Sequence, residues 1–112
     1  INLSHGNMTP EESINNVTPP YNYQLTCDYD ASVSVSLIGS APVSGKTENY
    51  TKCGNGGSCE LKYNDTEYKG KFKLNAGAAK TFSITSTFHP NDIRNPVEGS
   101  FQGSAILRVL VD

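Results

Sequence analysis

The chain has 112 residues, nine Lys and Arg against eleven Asp and Glu, and a formal net charge of −2, so residues 1–112 read as one domain. With 36% apolar residues it is long enough to bury a genuine core. Near-neutral charge, with no basic run denser than Lys69, Lys71 and Lys73, excludes a nucleic-acid or anionic-membrane footprint. No apolar run approaches the ~20 residues of a membrane helix. The chain neither begins with Met nor carries a signal peptide, which reads as a mature secreted product or a cut fragment. Ser, Thr, Asn and Gly are abundant, helix formers are sparse and Trp is absent, a composition that favours an all-β chain with many turns.

In chain order, Thr9-Pro10-Glu11-Glu12 predicts one helical turn, with Thr9 as cap, Pro10 at the first helical position and Glu12 completing a capping box. A period of two begins at Tyr23, putting Tyr23, Leu25 and Cys27 on one face, and returns as Val33, Val35 and Leu37 around Ser34 and Ser36. Gly39-Ser40-Ala41-Pro42 and Ser44-Gly45 are turns. Cys59 to Tyr63 alternates through Leu61, and Lys71 to Leu74 repeats the device with Phe72. Thr81 to Phe88 points Phe82, Ile84 and Phe88 inward and four hydroxyl residues outward. His89 to Gly99 reads as a polar loop. Phe101 to Val111 closes the chain with Phe101, Gly103, Ala105, Leu107, Val109 and Val111 on one face. Short strands at spacings of roughly ten residues indicate an antiparallel sandwich of immunoglobulin type.

Cys53 and Cys59 enclose Gly54-Asn55-Gly56-Gly57-Ser58, a loop flexible enough to close a disulfide. The spacing does not suit zinc, and no metal or other cofactor is expected. Cys27 is left over, as a free thiol or with a partner elsewhere. Five N-x-S/T sequons, at Asn2, Asn7, Asn16, Asn49 and Asn64, are either glycan acceptors or the product of an Asn-rich composition. Catalytic candidates are thin: His5, His89, Glu11-Glu12 and Asp28-x-Asp30 show no nucleophile motif, and the D-x-D lacks the later ligands of a calcium loop. The chain reads as a non-enzyme. Tyr21, Tyr29, Tyr50 and Tyr68 are candidates for stacking on sugars, though they suit strand faces equally well.

The final strand is the informative feature. It is strongly apolar, it runs to the last residue without a following turn, and Ile106 and Leu110 make its second face partly apolar too. Such an end is either an ordinary closing strand or an edge open to a strand from another chain. Its residues resemble the subunits of chaperone–usher fimbriae, the surface pili of Gram-negative bacteria. These end in an alternating apolar motif with Gly as the fourteenth residue from the end, here Gly99 when Asp112 is counted first. The motif falls on Phe101, Gly103, Ala105, Leu107, Val109 and Val111, with Val111 where the family usually has an aromatic. Ile1-Asn2-Leu3-Ser4-His5-Gly6 is similar to the family's early strand, and Tyr23 to Cys27 to its second, cysteine-bearing strand.

The resemblance implies an incomplete immunoglobulin-like sandwich, the pilin fold, whose missing final strand is supplied by a partner. A periplasmic pilus chaperone would first insert a strand beside Phe101 to Val111 and anchor the carboxylate of Asp112. At the outer-membrane usher, the N-terminal donor strand of the adjacent subunit would replace it. The family's donor extension and first-strand cysteine are not seen upstream of Ile1. That suggests the C-terminal pilin domain of a two-domain tip adhesin on the fimbrium, with host-receptor binding left to a preceding lectin domain. Cys27 then has three readings: its partner precedes Ile1, it is unpaired, or it pairs with Cys53 or Cys59. Val33, Val35, Leu37, Phe82, Ile84 and Phe88 are candidate linings of the acceptor groove. The alternative is a self-contained, secreted, disulfide-stabilised immunoglobulin-like binding domain.

Overall fold

Alternating side chains give each strand one apolar face, and such faces are stable only when two sheets bury them against each other. The computed structural model describes residues 1–111. In order these form β1 (Asn2–Met8), α1 (Pro10–Ser13), β2 (Tyr21–Thr26), β3 (Ala31–Gly39), β4 (Tyr50–Thr51), β5 (Gly57–Tyr63), β6 (Lys69–Leu74), β7 (Ala79–Pro90) and β8 (Gly99–Val111). One sheet has the order β1-β8-β3-β6 and the other β2-β7-β5-β4, with antiparallel neighbours throughout. The predicted strands are present with longer ends: β7 takes in His89 and Pro90, which the sequence assigned to a loop, because they pair with Ser58 and Gly57. The helical turn is capped as predicted, since Glu12 N–H donates to Thr9 Oγ1 and Thr9 N–H to Glu12 Oε1.

The main core joins Leu3, Val33, Val35, Leu37, Leu74 and Ala105 of the first sheet to Leu61, Tyr63, Phe82 and Ile84 of the second. A second cluster closes one end of the sandwich with Met8, Phe88, Phe101 and the Cys53–Cys59 disulfide. The ring pair Phe88–Phe101, 4.7 Å between centroids, ties the two sheets there. Because Cys53 and Cys59 are joined, Cys27 pairs with neither and is a partly buried cysteine with no disulfide partner among the described residues. Asn49 is fully buried and donates through Nδ2 to the Leu61 carbonyl at 2.9 Å. That burial removes it from the candidate glycan acceptors. Asp30 has an ordinary turn role, its Oδ1 accepting from the Ala76 amide.

β1 departs from regular pairing where it matters most. The register shifts between Ser4 and Gly6, and Gly6 adopts φ +68, a left-handed conformation that a glycine takes without a Cβ penalty. The bulge turns His5 inward, toward the second sheet. Its Nδ1 lies 2.8 Å from Asn16 Oδ1 and its Nε2 3.0 Å from Ser86 Oγ, and the ring meets Phe88 edge-on. The Cys59 sulfur is 3.5 Å from Nε2. A neutral ring satisfies both neighbours, donating to Asn16 and accepting from the Ser86 hydroxyl. His5 therefore pins β1 to β7, and the segment beside it does the same: Thr18 N–H donates to the Ser86 carbonyl and Ser86 N–H to Thr18 Oγ1, while Phe88 N–H donates to the Asn16 carbonyl.

Two predictions follow from this packing. The six-residue separation of the disulfide closes a short ring, so Cys53→Ser with Cys59→Ser should lower stability by about 2 kcal/mol in a urea titration. Burial pushes the His5 pKa below its ordinary value of 6.5, the Asn16 bond opposing only in part, and none of the four neighbouring side chains carries a charge to offset protonation. The unfolded chain thus takes up a proton that the folded chain resists. The contribution of His5 is present above about pH 6.5 and is lost as pH falls toward the lowered folded value. Melting temperature should fall more steeply between pH 7 and 5 in the parent chain than in His5→Gln, and parallel curves would refute the assignment.

Candidate functional site

The site develops along β8. Its first half, Gly99 to Ser104, pairs with β1 on one edge, and its second half, Ala105 to Val111, pairs with β3 on the other. Ala105 shows the parity: its N–H donates to the Ile1 carbonyl at 2.8 Å and its carbonyl accepts from the Ile1 ammonium at 3.0 Å. Strand alternation aims the N–H and C=O of Leu107, Val109 and Val111 toward that same edge. Among the described residues, no strand pairs with β8 there.

Burial of the inward row follows the pairing. Phe101 and Ala105 are 4% and 2% exposed beneath β1, Leu107 and Val109 are half-buried, and Val111 is 46% exposed. The other sheet is open on the same flank. β2 pairs only with β7 among the described residues, leaving Tyr21 and Tyr23 47% and 37% exposed and Leu25 half-buried. Between the two strands lies a cleft of about 370 Å³ lined by Ile1, Tyr21, Tyr23, Ala105, Ile106 and Leu107. Leu25, Cys27, Leu107 and Val109 are partly buried and pack against the main core.

The sequence-derived motif residues thus divide. Phe101, Gly103 and Ala105 are structural at the covered end, and Leu107, Val109 and Val111 form the uncovered part. Gly99 opens the strand opposite Met8 at φ +133, which only glycine adopts without strain. Asp112 lies outside the described residues. The residues considered as groove linings, Val33, Val35, Leu37, Phe82, Ile84 and Phe88, are all at most 3% exposed and sit in the core. The wall of the cleft is made by Ile1 and the β2 tyrosines. Alternation in Tyr21-Asn22-Tyr23-Gln24-Leu25 was the available signal, but it marks a face without saying whether anything covers it. His89 lies 2.8 Å from Glu60 Oε1 on the outer side of the second sheet. Of the tyrosines considered for sugar stacking, Tyr21 and Tyr50 lie on the two opposite edge strands of the second sheet and Tyr29 and Tyr68 in bends outside the strands.

The family model for the C-terminal domain of the fimbrial adhesin MrpH matches residues 1–112. The chain belongs to this family. Membership places it in an adhesive and structural class rather than an enzymatic one, and implies a fimbrial, cell-surface location. Comparison with the curated proteins returns no match. Within the family's domain, the geometry assigns opposite duties to the two halves of one strand.

Gly103 fixes the covered half. A Cβ there would lie 3.0 Å from Thr51 Cγ2 and 3.4 Å from Cys53 Cβ, so β8 approaches the disulfide only because Gly103 has no side chain. Gly103→Val should cost about 1–3 kcal/mol through overpacking, read as a lower urea midpoint. An unchanged midpoint would show that the strand is free to shift.

Proposed function

We propose that this domain is the assembly domain of a fimbrial tip adhesin and that it accepts a donated strand in the cleft between β8 and β2. The observation that carries the reading is the exposure gradient along β8, from a sealed Ala105 to a half-exposed Val111 beside unpaired backbone groups. An extended segment laid against that edge would receive main-chain hydrogen bonds from the Leu107, Val109 and Val111 positions. Its alternate apolar side chains would enter between the two sheets and cover the tyrosines. Fully burying one aliphatic side chain stabilises by about 1.5–3 kcal/mol. The half-buried Leu107 and Val109 with Val111 therefore supply a few kcal/mol from the acceptor side alone.

In this reading the first occupant is a strand of a periplasmic chaperone and the second the N-terminal extension of the adjacent subunit, exchanged at the outer-membrane usher. Donor-strand complementation makes the incomplete immunoglobulin-like sandwich whole. Receptor recognition belongs to a lectin domain preceding Ile1. No step requires a cofactor or a covalent change in the protein. What favours the exchange is a better match between donor side chains and the same row of acceptor positions.

The test is size-exclusion chromatography with mass determination of the chain, alone and with a synthetic peptide of alternating apolar residues. A stable one-to-one complex, with protection of the Leu107, Val109 and Val111 amides from hydrogen exchange, is expected. Val111→Asp, at a half-exposed position, should leave the fold intact and weaken peptide binding at least about tenfold, equivalent to 1.4 kcal/mol. A monodisperse monomer indifferent to peptide would overturn the proposal in favour of a self-contained secreted domain.

A further inference from the structure

The outer face of the first sheet carries a charge pattern that strand acceptance does not use. On β6, Lys69, Lys71 and Lys73 all point outward and are exposed, while Phe72 and Leu74 turn in. Register sets Ser36, Ser34 and Ser32 of β3 directly beside them. One strand further, Arg108 stands beside Ser36 and Leu110 beside Ser34. The rows read Lys69–Ser36–Arg108 and Lys71–Ser34–Leu110 across the sheet. Lys69, Lys71, Arg108, Ser34 and Ser36 rim a shallow depression of about 550 Å³, in which Glu48 is the one acidic residue.

Four of the nine cations of an acidic chain are thus gathered on one face. None of the four forms an ion pair among the described residues. Lysines on an edge strand discourage edge-to-edge pairing. That accounts for β6, yet it does not account for the convergence of Arg108 on the same face or for the hydroxyl row between the two sets of charges.

We propose that this face binds an acidic polysaccharide, a hydroxyl-rich chain carrying a carboxylate or sulfate on every sugar or two. Lysines at every second residue stand about 6.7 Å apart along the strand, and Arg108 lies about 10 Å across it. This linear array meets repeated anionic groups on an extended polymer, and the serines between them exchange hydrogen bonds with sugar hydroxyls. The depression is open and shallow, which suits a chain lying along the sheet. The net charge of −2 weakens long-range attraction to any polyanion and leaves short-range contact at the patch as the source of affinity. The face lies outside the cleft between β8 and β2, so binding is independent of strand acceptance.

The experiment measures binding of polygalacturonate and chondroitin sulfate to the full chain by biolayer interferometry, with neutral dextran, duplex DNA and phosphatidylglycerol vesicles alongside. Both acidic polysaccharides should bind at low ionic strength and release by about 1 M salt, where the Debye length is about 3 Å. Lys69→Gln with Lys71→Gln should weaken binding at least about fivefold, with an unchanged melting temperature. The charge-matched Lys46→Gln with Lys52→Gln, elsewhere on the molecule, should bind as the parent chain does. Equal losses in the two double variants would reduce the effect to net charge and overturn the site. Binding of dextran, DNA or vesicles as tight as that of the polysaccharides would overturn the ligand class.

Discussion

The structure depends on how far β1 runs beside β8. Where the two strands pair, from Gly99 to Ser104, their amides are satisfied and the side chains beneath are sealed. Past the Ile1–Ala105 bonds, the same strand continues in the same register against β3 but with its other edge bare. Nothing about the residues themselves changes at that point, since Ala105, Leu107 and Val109 belong to one inward row. The difference is the neighbour. A single ladder boundary therefore turns one apolar strand into a core element at one end and an uncovered edge at the other.

The covered end is built to hold that boundary in place. The Cys53–Cys59 disulfide lies beneath Gly103, the Phe88–Phe101 pair packs in the same cluster, and the Ser4–Gly6 bulge turns His5 into contact with Asn16, Ser86 and Cys59. Each of these joins β1 or β8 to the second sheet. β1 consequently cannot slide along β8 to cover the cleft without breaking the His5 contacts, because a shift of one residue would move Leu3 out of the core and a shift of two would remove His5 from its bulge. Rigidity at one end is what keeps the other end open.

Much of the fold was legible from period-two alternation, because half-buried strands declare their inward face in the sequence. The Cys53–Cys59 ring and the Thr9 cap were legible as well, since both are local. The lining of the cleft was not. Alternation gives Val33 and Tyr23 the same standing, although one is 1% and the other 37% exposed; which of two apolar faces is covered depends on strand order, a property of distant pairings. The same limit hid His5, whose inward turn follows from a bulge defined against Phe101. It also hid the basic face, where Lys69 and Arg108 are brought together by a serine of β3 that each of them flanks. The loop assignment of His89 and Pro90 failed for a related reason, because their strand character comes from Ser58 and Gly57 across the ladder.

The edges of the two sheets can be compared with one another, and the comparison bears on the cleft. Natural sheets protect their edges with lysine, with bulges or by keeping edge strands short. β6 carries three outward lysines, β1 is bulged at Ser4–Gly6 and β4 has only two residues. The remaining two edges, β2 and the second half of β8, have none of these devices. β2 has no charged residue among Tyr21 to Thr26, and from Ala105 to Val111 the only charge is Arg108, on the opposite face of the strand from Leu107 and Val109. These two unprotected edges face each other across one gap, with aromatic and aliphatic side chains on both sides. A chain that guards three edges and leaves bare the two that border a single cleft has the pattern expected if another strand belongs there. Random neglect would not place both bare edges on the same flank.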